Sequence, residues 1–362
     1  VKEPTPKPQE SNNKVTPEDE GSREATVRAW VAEHVASNLE DQPAHRRIDE
    51  QTQLLDNIFG EAWEAKKARI RGVSQLPNSK PSWDLINFIA KSGDDLRQEH
   101  FAMQLIEHFH ETFEASDSSL WLRPYEIIPT SEDSGLIEVI PDAISLHSLR
   151  EKWIKINGPD STLSSFFLKA FGPENSARHQ EARRNFIESM AAYAVVCYLL
   201  KVKDRNDGNL LLTREGHIVH IDFGYMLCNS PGDMSFEQAP FKLTSELVDV
   251  MGGRDSSSFS YFRELCVQGF LEARKREHCD KILTMVEMMA TGVGAELGLP
   301  CVTGQSASEI VSTMKGMHML GSTDDQVRSC VNALVDQSID NWYTRQYDNF
   351  QAVQKTWTNL FW

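Results

Sequence analysis

Apolar residues recur at intervals of three and four along much of the chain, which is the spacing of one face of an α-helix. The longest such stripe predicts an amphipathic helix over Arg183–Leu200, and Phe259–Leu271 predicts a second, core-facing helix. A shorter stripe covers Ile282–Met289, and the last helix is predicted from Val331 to about Phe350. Ala62–Arg71 is typical of a basic helix. The chain is therefore predicted to be mainly helical, above all in its second half.

Shorter apolar runs predict β-strands before that helical part. Leu85–Ala90 is one such run and ends at Lys91. Leu120–Ile140 contains two more, separated by a turn at Ser131–Gly135, and a helix is predicted over Ala143–Leu149. A polar segment, Gly72-Val73-Ser74, is predicted to form a turn ahead of the first strand.

A further pair of short apolar runs, Leu210–Leu212 and His217–Ile221, predicts a β-hairpin. Asp204 and Asn209 precede its first strand, and Asp222, followed by Phe and Gly, comes directly after its second. Such a hairpin would carry Asn209 and Asp222 to the same cleft.

This arrangement suits phosphoryl transfer. That reaction needs one carboxylate to receive the proton of the substrate hydroxyl, and an amide oxygen and a carboxylate to hold Mg²⁺ against the ATP phosphates. Asp204 is the predicted base. Asn209 and Asp222 are the predicted ligands of Mg²⁺, or of Mn²⁺ in its place.

These motifs also carry a family resemblance. The strings D-R-N-D-G-N and H-I-D-F-G resemble the catalytic and metal-binding motifs of the phosphatidylinositol 3- and 4-kinases, and A-K-S-G-D-D-L-R-Q-E resembles their ATP-lysine strand and following helix. The run Ser230–Gly253 is similar to the activation loop of the type III 4-kinases, closest to their beta form. The resemblance extends from about Ala65 to Phe350.

The resemblance implies a two-lobed, protein-kinase-like α+β fold. Residues 62–140 would form a small mixed lobe with an antiparallel sheet, and residues 141–352 a larger, mainly helical lobe. Residues 1–61 would be a disordered or partly helical linker, and residues 353–362 an aromatic tail.

The same resemblance assigns the ATP site. Lys91 would orient the phosphates and pair with Glu99, with Asp95 as the second candidate partner. Ser74 would face the β-phosphate.

The adenine ring is assigned to the segment between the two lobes. It would bond the backbone at Glu138 and Ile140. Ile221 would lie beneath the ring, and Tyr125 would approach it.

The chain departs from the family at two positions of the catalytic loop. Asn206 stands where the family has His, and Asp207 stands where the beta form has Asn. Because Asn does not titrate near neutral pH, turnover would fall or Asp204 would act alone. Asp207 would bring a negative charge near the phosphates, to help hold a metal or to repel the nucleotide. A pseudokinase scaffold is therefore an alternative. Two others are a protein kinase of the phosphatidylinositol-kinase-related type and a non-enzymatic recruitment module.

The activation segment bears on the substrate. From Asp222 to Ala239 the sequence has no Lys or Arg, and Lys242 is the first basic residue. A phosphorylated inositide would need such charges to neutralise its extra phosphate groups. The pattern favours phosphatidylinositol itself, and the resemblance implies its 4-hydroxyl as the acceptor and phosphatidylinositol 4-phosphate as the product.

Composition limits the partners. The 362-residue chain carries a net charge of −16, which argues against nucleic acid. No apolar run is long enough for a transmembrane segment. The six cysteines lack C-x-x-C spacing and are typical of reduced thiols in a cytoplasmic protein. By resemblance, the protein would act peripherally on the cytosolic face of membranes, at the Golgi, with a Rab-type small GTPase or an adaptor as recruiter.

Overall fold

A computed structural model describes residues 42–74, 82, 84–231, 239–292, 296, 298–341, 344 and 346. The chain divides into two compact units, Val1–Thr52 and Gln53–Trp362, and the second contains every motif discussed above. The disorder predicted near the N-terminus and the aromatic tail lie outside the described residues. The division at residues 140 and 141 into two lobes stays a prediction.

Short strands separate some of the described helices as far as residue 220, and every named element after that residue is a helix. They are α1 (Gln42–Phe59), α2 (Trp63–Val73), α3 (Arg97–Ala115), α4 (Leu146–Asn157), α5 (Leu163–Phe171), α6 (Ala177–Leu199), α7 (Ser245–Val250), α8 (Ser257–Ala273), α9 (Arg276–Thr291), α10 (Ala307–Met317) and α11 (Asp324–Ser338).

The first sheet is antiparallel and has the order β1-β3-β2, formed by β1 (Phe88–Ser92), β2 (Ile127–Ser131) and β3 (Ser134–Glu138). Ile89 pairs with Ile137, and Lys91 pairs with Gly135. Since side chains alternate between the two faces of a strand, Ile89, Ile137 and Lys91 lie on one face. The three predicted strands are present, but β1 begins at Phe88 rather than Leu85, residues 120–126 form no strand, and the turn covers only residues 132 and 133.

The second sheet contains the predicted hairpin and one strand that the sequence did not indicate. The strands β4 (Ala143–Ser145), β5 (Leu210–Thr213) and β6 (Ile218–His220) form an antiparallel sheet in the order β4-β5-β6. The helix predicted from Ala143 was wrong in its start. Ser145 caps α4 by accepting a hydrogen bond from the Ser148 N–H, so the preceding residues are free to pair with β5.

The helical core is organised around α6, which packs against α8. The predicted amphipathic pattern was wrong for this helix, because nearly every residue from Ser189 to Leu199 is buried. Gly269 of α8 allows a close approach: a Cβ atom there would lie 2.5 Å from the side chain of Leu120.

The helix predicted from Val331 to about Phe350 is divided, because residues 339–341 are not helical and residues 344 and 346 are helical again. The helix α11 begins at Asp324, where Thr323 forms a capping box with Gln326, and it ends at Ser338. The apolar stripe alone located neither end.

Candidate active site

The catalytic loop folds its two amides around one carboxylate. Asp204 has a φ of 60°, in the left-handed region. The Asn206 side-chain N–H donates to Oδ1 of Asp204 at 2.8 Å, and that of Asn209 donates to Oδ2 at 3.2 Å and to the Asp204 carbonyl at 2.9 Å. The carboxylate is therefore held in one orientation by both neighbouring amides.

Asn206 is itself fixed on both sides. Its side-chain oxygen accepts from the Gly208 N–H at 2.8 Å, and the residue is only 5% exposed. The side chain thus fills this position as a structural hydrogen-bonding residue, and the amide nitrogen that faces Asp204 can only donate.

Asp222 is tied to the same loop through the backbone. The Ile221 N–H donates to the Asn209 carbonyl at 3.1 Å. Arg205, which is 2% exposed, donates to the carbonyls of Ile221 and Asp222, and its guanidinium lies 5.2 Å from the centre of the Phe223 ring. These contacts give Arg205 a packing and pairing role. The Asp222 side chain is exposed.

The donor set fits Mg²⁺. The Asn209 amide nitrogen donates to Asp204, so its side-chain oxygen is the group left to face a cation. Asp222 follows the second strand of the hairpin whose first strand Asn209 precedes. Among the described residues, no group of three or more His, Cys, Asp or Glu could hold a metal. An amide oxygen and one carboxylate are nevertheless what a magnesium site needs when phosphates and water supply the other ligands.

Glu99 lies beside the metal-binding motif and not in the predicted ion pair. Its carboxylate accepts the Phe223 N–H at 3.2 Å. Burial, and next the charge of Asp222, raises the pKa of Glu99. In the described part of the chain, Lys91 pairs with Asp94 at 3.3 Å, and Asp95 is occupied by Arg97 at 2.6 Å.

The predicted Lys91–Glu99 ion pair is therefore absent from the described contacts. Asp94 is close in sequence to Lys91 and exposed, so it competes for the ammonium group. Lys91 still acts electrostatically on Glu99 and lowers its pKa, against the larger effect of burial.

Tyr125 is buried near Glu99 and the backbone of Asp222. It is 6% exposed. Burial raises the pKa of Tyr125 well above its usual value, the Glu99 carboxylate adds to the increase, and the Asp222 backbone opposes it. Tyr125 therefore lies among the charged groups near Asp222.

Asp207 forms ion pairs with two basic side chains. Its two carboxylate oxygens bind Lys242 at 2.7 Å and Arg150 at 2.8 Å. Burial acts to raise the pKa of Asp207, but Lys242 and Arg150 outweigh it and the net shift is downward. Arg150 also binds Glu246 at 2.7 Å. Two cations therefore neutralise Asp207, and the hypothesis that it holds a metal or repels the nucleotide stays a prediction.

Comparison with known proteins decides the family. Residues 85–293 match the family described as phosphatidylinositol 3- and 4-kinase. The chain belongs to this family. Over 302 residues it is 48% identical to phosphatidylinositol 4-kinase beta 1 of Arabidopsis thaliana, an alignment that covers 82% of this chain and 26% of that protein.

Two further relatives agree. Phosphatidylinositol 4-kinase of Dictyostelium discoideum is 43% identical over 314 residues, covering 87% of this chain and 26% of that protein. Phosphatidylinositol 4-kinase beta of Xenopus laevis is 41% identical over 328 residues, covering 89% of this chain and 39% of that protein. The chain thus spans well under half the length of these relatives.

The segment predicted to bind adenine in this kinase fold lies at the end of β3. The Glu138 N–H donates to the Glu126 carbonyl at 2.8 Å, and its carboxylate binds Arg123 at 2.5 Å. Only the Glu138 carbonyl is therefore left to accept from an adenine amine. Ile140 is buried and Ile221 is half-buried against the core. The contacts of these residues with a nucleotide stay predictions.

The predicted phosphate-covering turn of the kinase was wrong in its first two residues. Gly72 and Val73 form the last turn of α2, because the Ser74 N–H continues the helical pattern by donating to the Ile70 carbonyl at 3.0 Å. Ser74 ends the helix, and residues 75–81 lie outside the described part. Its role toward a phosphate stays a prediction.

Sequence reasoning missed Gln98. This residue lies in the first turn of α3, is 5% exposed, and hydrogen-bonds to the backbone after Asp222. A signal was present, because Gln98 continues the apolar stripe of Phe101 and Leu105 toward the N-terminus of the helix. A polar residue on a core-facing stripe must find buried partners.

Proposed function

We propose that this chain is the catalytic part of an ATP-dependent lipid kinase that phosphorylates the 4-hydroxyl of phosphatidylinositol. The observation that carries the proposal is that Asn209 donates to Asp204 and accepts from Ile221, the residue before Asp222, within one loop and hairpin. The names of the relatives support the lipid and the position on its ring.

The mechanism assigns a separate task to each group. Asp204, oriented by the two amides, takes the proton of the attacking inositol hydroxyl. Asn209 and Asp222 hold Mg²⁺ or Mn²⁺, which when bound neutralises charge on the ATP phosphates. Lys91 is exposed on the sheet face it shares with Ile89 and Ile137, where its ammonium can exchange Asp94 for a phosphate oxygen.

The substrate follows from charge. Lys242, the first basic residue after Asp222, has a side chain only 2% exposed and bound to Asp207. It is not available to a phosphate on the inositol ring. Together with the absence of Lys and Arg from Asp222 to Ala239, this favours an unphosphorylated ring.

The proposal extends to location. None of the helices in the described part of the chain combines the length and apolar composition of a membrane span. A net charge of −16 gives little general attraction to anionic lipid, so the chain needs a local docking surface or a recruiter. We expect the cytosolic face of the Golgi, with a Rab-type small GTPase or an adaptor as recruiter.

A lipid panel tests the proposal. Vesicles containing phosphatidylinositol, its 4-phosphate or its 4,5-bisphosphate are incubated with labelled ATP and Mg²⁺, and the products are separated by headgroup position. We expect label in phosphatidylinositol 4-phosphate alone. Label at the 3-position, or preferential use of a phosphorylated lipid, would contradict the assignment.

A further inference from the structure

Gln98 forms hydrogen bonds with three backbone groups in two separate segments of the chain. Its side-chain nitrogen donates to the Phe223 carbonyl at 3.0 Å and to the Gly224 carbonyl at 2.7 Å. Its side-chain oxygen accepts from the Cys301 N–H at 3.0 Å. Every hydrogen-bonding group of this buried amide is therefore used within the protein.

Further hydrogen bonds hold the same backbone residues that Gln98 contacts. Glu99, the next residue of α3, accepts the Phe223 N–H at 3.2 Å, so Phe223 is held through both its N–H and its carbonyl. The Gly224 carbonyl also accepts from the Asn229 side chain at 2.7 Å. On the far side, the Cys301 carbonyl accepts from the Cys228 N–H at 3.3 Å.

We propose that Gln98 is a positioning residue for the metal-binding carboxylate of Asp222. The inference rests on the proposed function, since it takes Asp222 as a metal ligand. Asp222 has a φ of 61°, and its exposed side chain has little packing of its own to orient it. Its direction depends on the backbone of the two residues that follow, and Gln98 holds both of them to α3.

The chemistry of the site explains why an amide is required. Three buried or half-buried backbone groups point at position 98, two carbonyls and one N–H. An apolar residue of equal length would leave the Phe223 carbonyl and the Cys301 N–H without this partner, and the Gly224 carbonyl with Asn229 alone. A glutamate would keep an acceptor for Cys301 and place a second oxygen against the two carbonyls.

Two variants separate these contacts. Gln98→Met removes all three hydrogen bonds, whereas Gln98→Glu keeps only the one from Cys301. Gln104→Met is the matched control, because Gln104 is exposed on the same helix and contacts only His100 among the described residues. Hydrogen exchange of the peptide covering residues 223–229 is measured first, without nucleotide.

We expect faster exchange in both Gln98 variants, by about tenfold for the loss of one hydrogen bond, and no change in the control. Wild-type exchange in either Gln98 variant would overturn the inference, including a result in which only Gln98→Met is affected, since that would assign the role to Cys301. This readout does not depend on kinase activity.

Affinity for a fluorescent ATP analogue, with Mg²⁺ and with a chelator, is measured second. We expect both Gln98 variants to lose about tenfold in the Mg²⁺-dependent gain in affinity while keeping the affinity measured with chelator. An equal loss under both conditions would overturn the positioning role. If Mg²⁺ does not change the nucleotide affinity of the wild type, the proposed function is contradicted instead. The hydrogen-exchange result still tests whether Gln98 holds the backbone of residues 223 and 224.

Discussion

The side-chain amide of Asn206 donates a hydrogen bond of 2.8 Å to the carboxylate of Asp204. An amide at this position can orient the carboxylate but cannot exchange a proton with it near neutral pH. With Asp204 as the proposed base, we therefore expect proton transfer to proceed without a titrating residue at position 206. The pseudokinase alternative gains no support from this geometry, since the carboxylate is held ready rather than removed.

Replacing Asn206 by His, the residue of the family pattern, adds a titrating group. We expect Asn206→His to raise kcat by about tenfold, less than the ~100-fold that a well-placed general acid or base contributes, because Asp204 already accepts the proton. The kcat of the variant should acquire a limb near the usual pKa of His, about 6.5, that the wild type lacks. A pH profile of kcat for both proteins measures this.

A lower kcat in Asn206→His would contradict this expectation. If Asn206→His lowers kcat and leaves the pH profile unchanged, the amide is part of the active arrangement of this chain. A thermal melt of the variant checks that the buried site has accepted the larger ring.

The charges around Asp207 predict a stability effect. Asp207→Asn leaves the buried Lys242 with a neutral partner, while the exposed Arg150 keeps Glu246. We expect a loss of about 2 kcal/mol in the free energy of unfolding, the size of a hydrogen bond to a charged group. Asp280→Asn is the control, because Asp280 forms an exposed ion pair with Arg276 and should cost under about 0.5 kcal/mol. Denaturant unfolding at pH 7 compares them, and equal losses would refute the neutralisation by Lys242.

The half-buried Glu99 predicts a pH-dependent change in stability: removing its charge should stabilise the fold, whereas removing that of Asp207 should destabilise it. A carboxyl whose pKa is raised in the folded chain lowers stability as pH rises from its usual value, here 4.5, through the folded value. Glu99→Gln removes this penalty and keeps an acceptor for Phe223. We expect a melting temperature about 1–3 °C above wild type at pH 8, with the gain vanishing toward pH 4.5.

Thermal melts across that pH range measure the effect of Glu99. Glu107→Gln, an exposed change on the same helix, is the control. A gain that grows as the pH falls would show that the sign is wrong.

Local patterns predicted the parts of the site that depend on neighbouring residues. The hairpin of β5 and β6 was visible because its strands and turn are consecutive, and it brings Asn209 and Asp222 together by geometry alone. The helix that carries Glu99 was expected from the family resemblance of the sequence around Lys91. These elements needed no knowledge of distant contacts.

Contacts between distant residues could not be predicted in the same way. Lys242 is far along the chain from Asp207, and nothing local marks them as partners. The strand at Ala143–Ser145 exists because β5 lies next to it. Gln98, which sequence reasoning missed, is the intermediate case: its place on an apolar stripe is a signal of burial, but nothing local identifies Phe223 and Gly224 as its partners.

The most direct test is phosphoryl transfer to phosphatidylinositol by wild type, Asp222→Asn and the exposed-site control Asp255→Asn, with the product position determined. We predict a 4-phosphate product from wild type and control, and a loss of at least about 100-fold in Asp222→Asn, as expected when a group that stabilises transition-state charge is removed. Equal product from Asp222→Asn, or no lipid product from a wild type that binds Mg·ATP, would contradict the account.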